Sequence, residues 1–244
     1  PLDRARSLAP DDPTVLAMWV VHHMGGRNFE PFRVEPAIAD ALARLVARAP
    51  DFALSHLARA CVLINGRDDR VGSVEWLRRG LQISPGNADL GYYLGVACLE
   101  ADRPEAALAL LRPSLWSDPT PWQRTATALN LGLLGRYDEA LEVLDGDSSE
   151  AWQRPRSLLL PRLQLWAGRP LAPCEPQGDP LISALAVEQL RALRGEATAA
   201  SIEALVRGCA ELPRPTRAWR LILRSEEHTS ELQSPCNLVC RLLL

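Results

Sequence analysis

The feature that most constrains this chain is a pair of prolines, Pro85 and Pro119, which stand 34 residues apart and each follow a stretch with helical periodicity. Between them, apolar residues recur at intervals of three and four on both sides of an interruption at Asp102. Asn87 can cap the first of the two helices. Pro104 suits the first turn of the second, because its missing N–H is not needed there. A period of this length, filled by two helices, is typical of helix–turn–helix repeats.

The same register recurs upstream in the chain. The residues that carry it are Ser73, Leu77, Gly80 and Pro85, then Ile38, Leu42, Leu45 and Pro50, and then the fragmentary Leu2, Ala5 and Pro10. The small residues Gly95 and Ala107 predict where the two helices of one repeat approach closely, because a bulky side chain there would push the pair apart. A single helix pair cannot bury its own apolar face, and the stacking of neighbouring pairs solves that.

These residues resemble the tetratricopeptide repeat. Its signature positions are occupied by Leu94, Gly95, Cys98, Ala107, Leu111, Ser114 and Pro119, and the turn signature recurs as Leu134, Gly135, Arg136, Tyr137, Asp138, Glu139, Ala140 and Leu141. Gly135 is expected to break a helix. Gly91 departs from the pattern where Trp is usual, and His56 falls where the first helix normally carries an aromatic residue. The resemblance implies an all-α fold, a right-handed α-solenoid of about six antiparallel helix pairs.

The resemblance divides the chain into three parts. Residues 1–146 are expected to form tetratricopeptide-like repeats, and residues 147–223 to continue as degenerate helical repeats. The helices expected in the second part lie near Ala151–Ala167, Pro180–Arg194, Ala197–Glu211 and Pro215–Leu223. Four prolines crowd the segment 170–180, which predicts an extended loop or a break in the stack.

The third part, residues 224–244, resembles a translated sequencing-library adapter. Suitable codons for Arg224–Thr229 reproduce the start of the adapter, and the frame continues through Ser234. The segment 238–244 then reads as the constant end of the adapter. We interpret the tail as non-native and draw no function from His228, Cys236 or Cys240. The alternative is a genuine polar linker with a short apolar end. At the other end the chain opens with a proline in mid-helix, without an initiator methionine, and we interpret it as a fragment there.

The overall charge of the chain argues against a nucleic-acid partner. The formal net charge is −3, and acidic and basic residues alternate along the helices, so no basic patch is expected. The longest apolar run, Val15–Val21, is far too short to cross a bilayer, so we expect no membrane partner. None of the cysteines at positions 61, 98, 174 and 209 is paired at metal-ligand spacing. A reduced compartment, and hence a cytoplasmic location, is the simplest interpretation.

The sequence contains no recognisable catalytic motif. His22 and His23 are adjacent, and neighbouring residues on a helix point about 100° apart, so they cannot ligate one metal from a regular helix. We expect the pair to interact with carbonyls at a helix end instead. No nucleophile elbow, protease cysteine or phosphate-binding glycine loop occurs. We therefore predict no enzymatic activity, no cofactor and no metal. Arg27, Arg78 and Arg79 could meet anionic ligands, although a solubilising role is the simpler interpretation.

In tetratricopeptide arrays, the first helix of each repeat lines a concave groove in which partner peptides lie. Carried onto this chain, the resemblance assigns to that groove Leu54, Leu57 and Cys61, then Asp89, Tyr92 and Val96, and then Trp122, Thr125 and Leu129. Tyr92 and Trp122 would be the anchors, because aromatic side chains offer large contact area at low entropic cost. The alternative is that both pack between neighbouring repeats. The groove lacks the cluster of Lys and Arg with which some family members clamp a terminal carboxylate.

Three hypotheses about function follow. The first is a cytoplasmic scaffold that binds a partner peptide or protein in the groove and has no catalysis of its own. The second is the sensory or regulatory half of a larger bacterial protein, whose output domain (winged-helix, cyclase or kinase) would lie upstream. The third, an enzyme with a site in the segment 170–180, has no positive support.

Overall fold

The chain is helical throughout the part that the computed structural model describes, which comprises residues 1–25, 34–67, 69–115, 119–145 and 150–170, with four isolated positions beyond. The helices are α1 Leu2–Leu8, α2 Pro13–Gly25, α3 Pro36–Arg48, α4 Ala53–Cys61, α5 Arg70–Ile83, α6 Ala88–Glu100, α7 Pro104–Leu111, α8 Pro121–Leu133, α9 Tyr137–Asp145 and α10 Glu150–Trp166. A π-helical segment, Val62–Gly66, continues α4, and a 3₁₀ turn, Arg112–Leu115, continues α7. No strand occurs in these ranges, so the prediction of an all-α fold is confirmed for them.

Side-chain caps begin several of these helices. The Asn87 side chain accepts a hydrogen bond from Leu90 N at 2.9 Å at the start of α6, as predicted. Helix α7 begins at Pro104, also as predicted. At α8, Thr120 and Gln123 form a reciprocal capping box, in which each side chain accepts a hydrogen bond from the backbone of the other. These caps satisfy N–H groups that have no partner inside their helix.

Two turns between consecutive helices use left-handed backbone. Gly135 has φ +72° and follows the end of α8, which confirms that it breaks the helix. Asp102 has φ +58° in the corresponding turn between α6 and α7. Glycine adopts this conformation at no steric cost, and aspartate is one of the few other residues that visit it routinely. The two turns therefore share a backbone conformation although their residues differ.

The chain divides into two compact bodies, which we call the N-terminal body (Pro1–Trp116) and the C-terminal body (Ser117 onward). In the N-terminal body each helix packs on the next one along the chain, and α2 also packs on α4. The side chains enclosed completely in its core include Leu16, Val20, Met24, Ile38, Leu45, Leu57, Leu77 and Leu90. The division lies inside the segment 1–146, whose boundary at 146 stays a prediction.

In the C-terminal body α8 packs on both α9 and α10, and α9 also packs on α10. Its buried side chains include Leu131, Leu144 and Leu163. The helix expected near Ala151–Ala167 is confirmed as α10. The three helices expected between 180 and 223, the proline-rich segment from 171 onward and the tail 224–244 lie outside the described residues, apart from the isolated positions.

Close helix packing explains two glycines of the repeat pattern. A Cβ atom on Gly95 would lie 2.7 Å from Leu111 Cγ and 3.3 Å from the carbonyl oxygen of Ala107, so the prediction of close approach at Gly95 and Ala107 is confirmed. A Cβ atom on Gly91 would lie 2.9 Å from the carbonyl oxygen of Leu110. The space that a tryptophan would need at Gly91 is thus filled by the backbone of α7, which accounts for the departure from the pattern.

The π-helical segment explains a difference in repeat length. Pro50 and Pro85 are 35 residues apart, whereas Pro85 and Pro119 are 34 apart. A π turn adds a residue to a helix without ending it. The segment continues α4 with its Asn65 and Gly66 buried, and a methyl group on Gly66 would collide with the Val34 side chain. The extra residue between Pro50 and Pro85 is therefore taken up in the π-helical segment that continues α4.

Candidate functional site

The side chains expected to line the groove differ in how much surface they present. Six are half-buried: Leu54, Asp89, Tyr92 and Val96 in the N-terminal body, and Trp122 and Thr125 in the C-terminal body. Three are enclosed, namely Leu57, Cys61 and Leu129, whose residues are 0 %, 0 % and 5 % exposed. Of these, only the half-buried residues of each body can contact a partner, because the enclosed three belong to the cores. We call the half-buried residues of α4 and α6 the first-helix surface of the N-terminal body.

The Tyr92 ring packs against the ring of Tyr93, which contacts the interior of the N-terminal body. The rings of Tyr92 and Tyr93 meet edge to face with their centroids 5.1 Å apart. The Tyr93 phenol lies near the side chains of Cys61, at the end of α4, and of Asn65, in the π-helical segment, both of which act on its pKa. Burial raises the pKa of Tyr93 well above its ordinary value, so the phenol is neutral at physiological pH. The interior of the body thus fixes the ring against which Tyr92 packs.

In the C-terminal body the corresponding surface is smaller. Trp122 is the second residue of α8 and lies between Thr120 and Gln123, whose capping box fixes the start of this helix. The Thr125 hydroxyl donates a hydrogen bond to the Pro121 carbonyl oxygen at 2.8 Å, so its polar atom is already used within the helix. Trp122 is therefore the large side chain that this part of α8 can offer to a partner.

The adjacent histidines lie at the end of α2, where His23 contacts a carbonyl as predicted. His23 Nδ1 lies 2.8 Å from the Trp19 carbonyl oxygen, and the two rings stack with centroids 4.1 Å apart. Trp19 Nε1 donates a hydrogen bond to Asp3 of α1 at 2.8 Å, and Arg6 of α1 lies over the indole. These contacts hold α1 on α2, which gives His23 a structural role. The described residues contain no group of three His, Cys, Asp or Glu side chains placed to hold a metal ion.

A cationic and aromatic cluster on α4 and α5 was missed by the reasoning from sequence. The Cζ atoms of Arg59 and Arg79 lie 4.2 and 5.2 Å from the centre of the Trp76 ring, within the range of cation–π attraction. The His56 ring stacks on the same indole with centroids 5.6 Å apart and planes 20° from parallel. We call these four residues the Trp76 cluster. The available signal was that His56 and Arg59 are three apart on one helix, which places them on the same face.

The charges of the Trp76 cluster are only partly compensated. Arg79 Nε donates a hydrogen bond to Glu75 Oε1 at 2.9 Å in an exposed pair, whereas Arg59 forms no ion pair with any residue that the structure describes. His56 is 4 % exposed, and its Nδ1 atom has no hydrogen-bond partner among those residues. Burial, and then the charges of Arg59 and Arg79, lower the pKa of His56, and Asp51 acts in the opposite direction.

Comparison with known proteins returned no match: no protein-family model fits the chain, and no curated protein is significantly similar to it. Within the described residues, no helix combines the length and the apolar character needed to cross a membrane. The likeness to tetratricopeptide repeats thus stays a prediction, and the case for a function rests on the residues and distances given above.

Proposed function

We propose that this protein is a tetratricopeptide-like α-solenoid that binds a partner peptide or protein on its first helices and performs no chemistry of its own. The packing order supports the proposal. Alternate helices pack on each other at one place in each body, α2 on α4 and α8 on α10, as well as on the helices that separate them in sequence. A solenoid of helix pairs brings its first helices together in this way, and extended binding surfaces follow from such stacking.

The observation that carries the proposal is the way in which the Tyr92 ring is held in place. Its half-buried ring rests against Tyr93, whose phenol lies near Cys61 at the end of α4 and Asn65 in the segment that continues it. A ring held in this way loses little conformational freedom on binding, and pre-organised aromatic residues are typical of binding hot spots. Leu54 and Val96 are the apolar members of the same surface, so we expect a partner to contribute an apolar side chain there.

A cytoplasmic location belongs to the same proposal. Cys61 and Cys98 are thiols in the fold, one buried and one half-buried, and neither takes part in a disulfide. Buried thiols of this kind behave as small apolar residues and are kept reduced in the cytosol.

The proposal is tested by selecting binders for the full chain from a random peptide library and measuring their Kd. We expect selected peptides to lose about tenfold or more in affinity with Tyr92→Ala, the size of a typical hot-spot truncation. Val71→Ala is the matched control, because Val71 is an apolar side chain of α5 that is 88 % exposed and lies off the first helices. Selection of peptides whose affinity depends on Val71 and is indifferent to both Tyr92 and Trp122 would refute the proposal.

A further inference from the structure

The Trp76 cluster, which α4 and α5 build in the N-terminal body, has the composition of an anion site. We propose that this cluster binds the carboxylate of an acidic side chain in a partner peptide, held between Arg59 and Arg79 at the edge of the Trp76 ring. The inference goes beyond the proposed function, because it concerns α4 and α5 and does not depend on the anchoring role of Tyr92.

The geometry of the two guanidinium groups carries the first part of the inference. Arg59 comes from α4 and Arg79 from α5, and both lie over one indole, at 4.2 and 5.2 Å from its centre. A planar guanidinium placed over a ring keeps its N–H donors at its edges, where they match the two oxygens of a carboxylate. Two helices thus place a guanidinium group beside the same indole, and an anion at the edge of that ring is within reach of both side chains.

The charge at Arg59 carries the second part. This residue is half-buried, and none of the described residues forms an ion pair with it. Removal of a charge from water is unfavourable unless the charge is paired, and the indole face compensates for that only in part. A carboxylate from a partner would supply the missing counter-ion.

His56 supplies an independent observation and a reporter. Its ring is almost fully enclosed, stacks on Trp76, and has a nitrogen, Nδ1, without a hydrogen-bond partner in the described part of the chain. The neighbouring arginines help to lower the pKa of His56, so an anion placed between them should raise it again. Binding at the cluster would therefore be visible in the titration of His56.

The carboxylates around the Trp76 cluster favour a ligand with one negative charge over a ligand with two. Glu75 is paired with Arg79 at 2.9 Å, and Asp51 is close enough to act on His56. A carboxylate can replace Glu75 on Arg79 without an excess of negative charge. A phosphate group would bring up to two charges beside both acidic residues, and like charges at short range repel.

The test is an NMR titration of the full chain with a capped hexapeptide of alternating Ala and Glu, with its Gln counterpart and with inorganic phosphate. We expect the Glu peptide to shift the Trp76 indole and His56 imidazole signals and to raise the titration midpoint of His56. The Gln peptide should do neither. If the two peptides act alike, or if phosphate binds and the Glu peptide does not, the assignment to a carboxylate is overturned.

Substitutions then place the binding at the two arginines. Arg59→Gln should weaken the Glu peptide about tenfold or more, the typical effect of losing one charge-assisted hydrogen bond. Arg78→Gln, a change at an exposed neighbour on α5, should change the affinity less than twofold. Arg79→Gln serves if Arg59→Gln fails to fold, because the Arg79 side chain is 52 % exposed. Wild-type affinity in a folded Arg59→Gln or in Arg79→Gln overturns the proposal.

Discussion

The His56 imidazole is enclosed on α4 beside two arginines. Burial and both positive charges disfavour the protonated ring, so its pKa in the folded protein lies below its ordinary value. The fold therefore favours the neutral form of the His56 ring. A pH dependence of stability follows from this residue.

We expect the free energy of unfolding to decrease as the pH is lowered below about 6.5, the pKa of an unperturbed histidine. In that range the unfolded chain protonates His56 and the folded chain does not yet do so, so protons favour the unfolded state. The measurement is urea unfolding between pH 7.5 and 5.5, compared with His56→Gln, which should show a flatter profile. Asp3 and Asp11, whose pKa values are lowered by hydrogen bonds from Trp19 and Arg44, act only in a more acidic range. If the free energy of unfolding depends on pH equally steeply in the wild type and in His56→Gln, this interpretation of His56 is contradicted.

A second prediction at this scale concerns the left-handed turn at Gly135. Gly135→Ala should destabilise the protein by about 1 kcal/mol, the cost of placing a Cβ atom in this backbone conformation. Its neighbourhood is open, because a Cβ atom there would meet nothing within 4 Å. Gly86 is equally open without a left-handed φ, so Gly86→Ala should be neutral or stabilising by up to about 1 kcal/mol. Thermal unfolding of Gly135→Ala and Gly86→Ala tests this prediction. If both variants lose the same stability, the left-handed backbone at Gly135 is not the cause of the loss.

At the scale of helices, the pattern of prolines and caps predicted the starts of α6 and α7 and the end of α8, because these signals are local in sequence. The close approach at Gly95 was also predictable, since the repeat pattern places a small residue there. The π-helical segment was not predictable, because the sequence shows one extra residue between Pro50 and Pro85 but does not show which element contains it. The Trp76 cluster was missed for a related reason: Trp76 and Arg79 join His56 and Arg59 only once α4 packs on α5.

Packing of α6 on α7 predicts an unusual response to a helix-favouring substitution. Alanine is normally more favourable than glycine inside a helix by about 1 kcal/mol. Gly91→Ala should nevertheless destabilise the protein, by about 1–2 kcal/mol, because the new Cβ atom would meet the Leu110 carbonyl oxygen at 2.9 Å. The reverse exchange at an exposed site of α7, Ala106→Gly, should cost about 1 kcal/mol through propensity alone. Chemical unfolding of both variants checks the prediction, and a stabilised Gly91→Ala would show that the two helices do not approach closely.

At the scale of the whole molecule, the likeness of residues 224–244 to adapter sequence predicts that they do not contribute to folding. Deletion of this segment should leave the unfolding midpoint of the remaining chain within about 2 °C of the original, a shift smaller than that expected from a loss of 1 kcal/mol in a domain of this size. Differential scanning calorimetry of the two chains provides the comparison. A drop of about 5 °C or more would mean that the tail is part of the folded protein.

The central claim is that a selected peptide binds on the first-helix surface of the N-terminal body, which α4 and α6 form. Amide hydrogen exchange of the full chain, with and without a selected peptide, tests it most directly, because binding slows the local opening of the helices that it covers. We predict slower exchange in α4 and α6 and little change in α7, with α5 affected only where a peptide also reaches the Trp76 cluster. Slower exchange confined to α5 and α7, or no change at a saturating concentration of peptide, would contradict the claim.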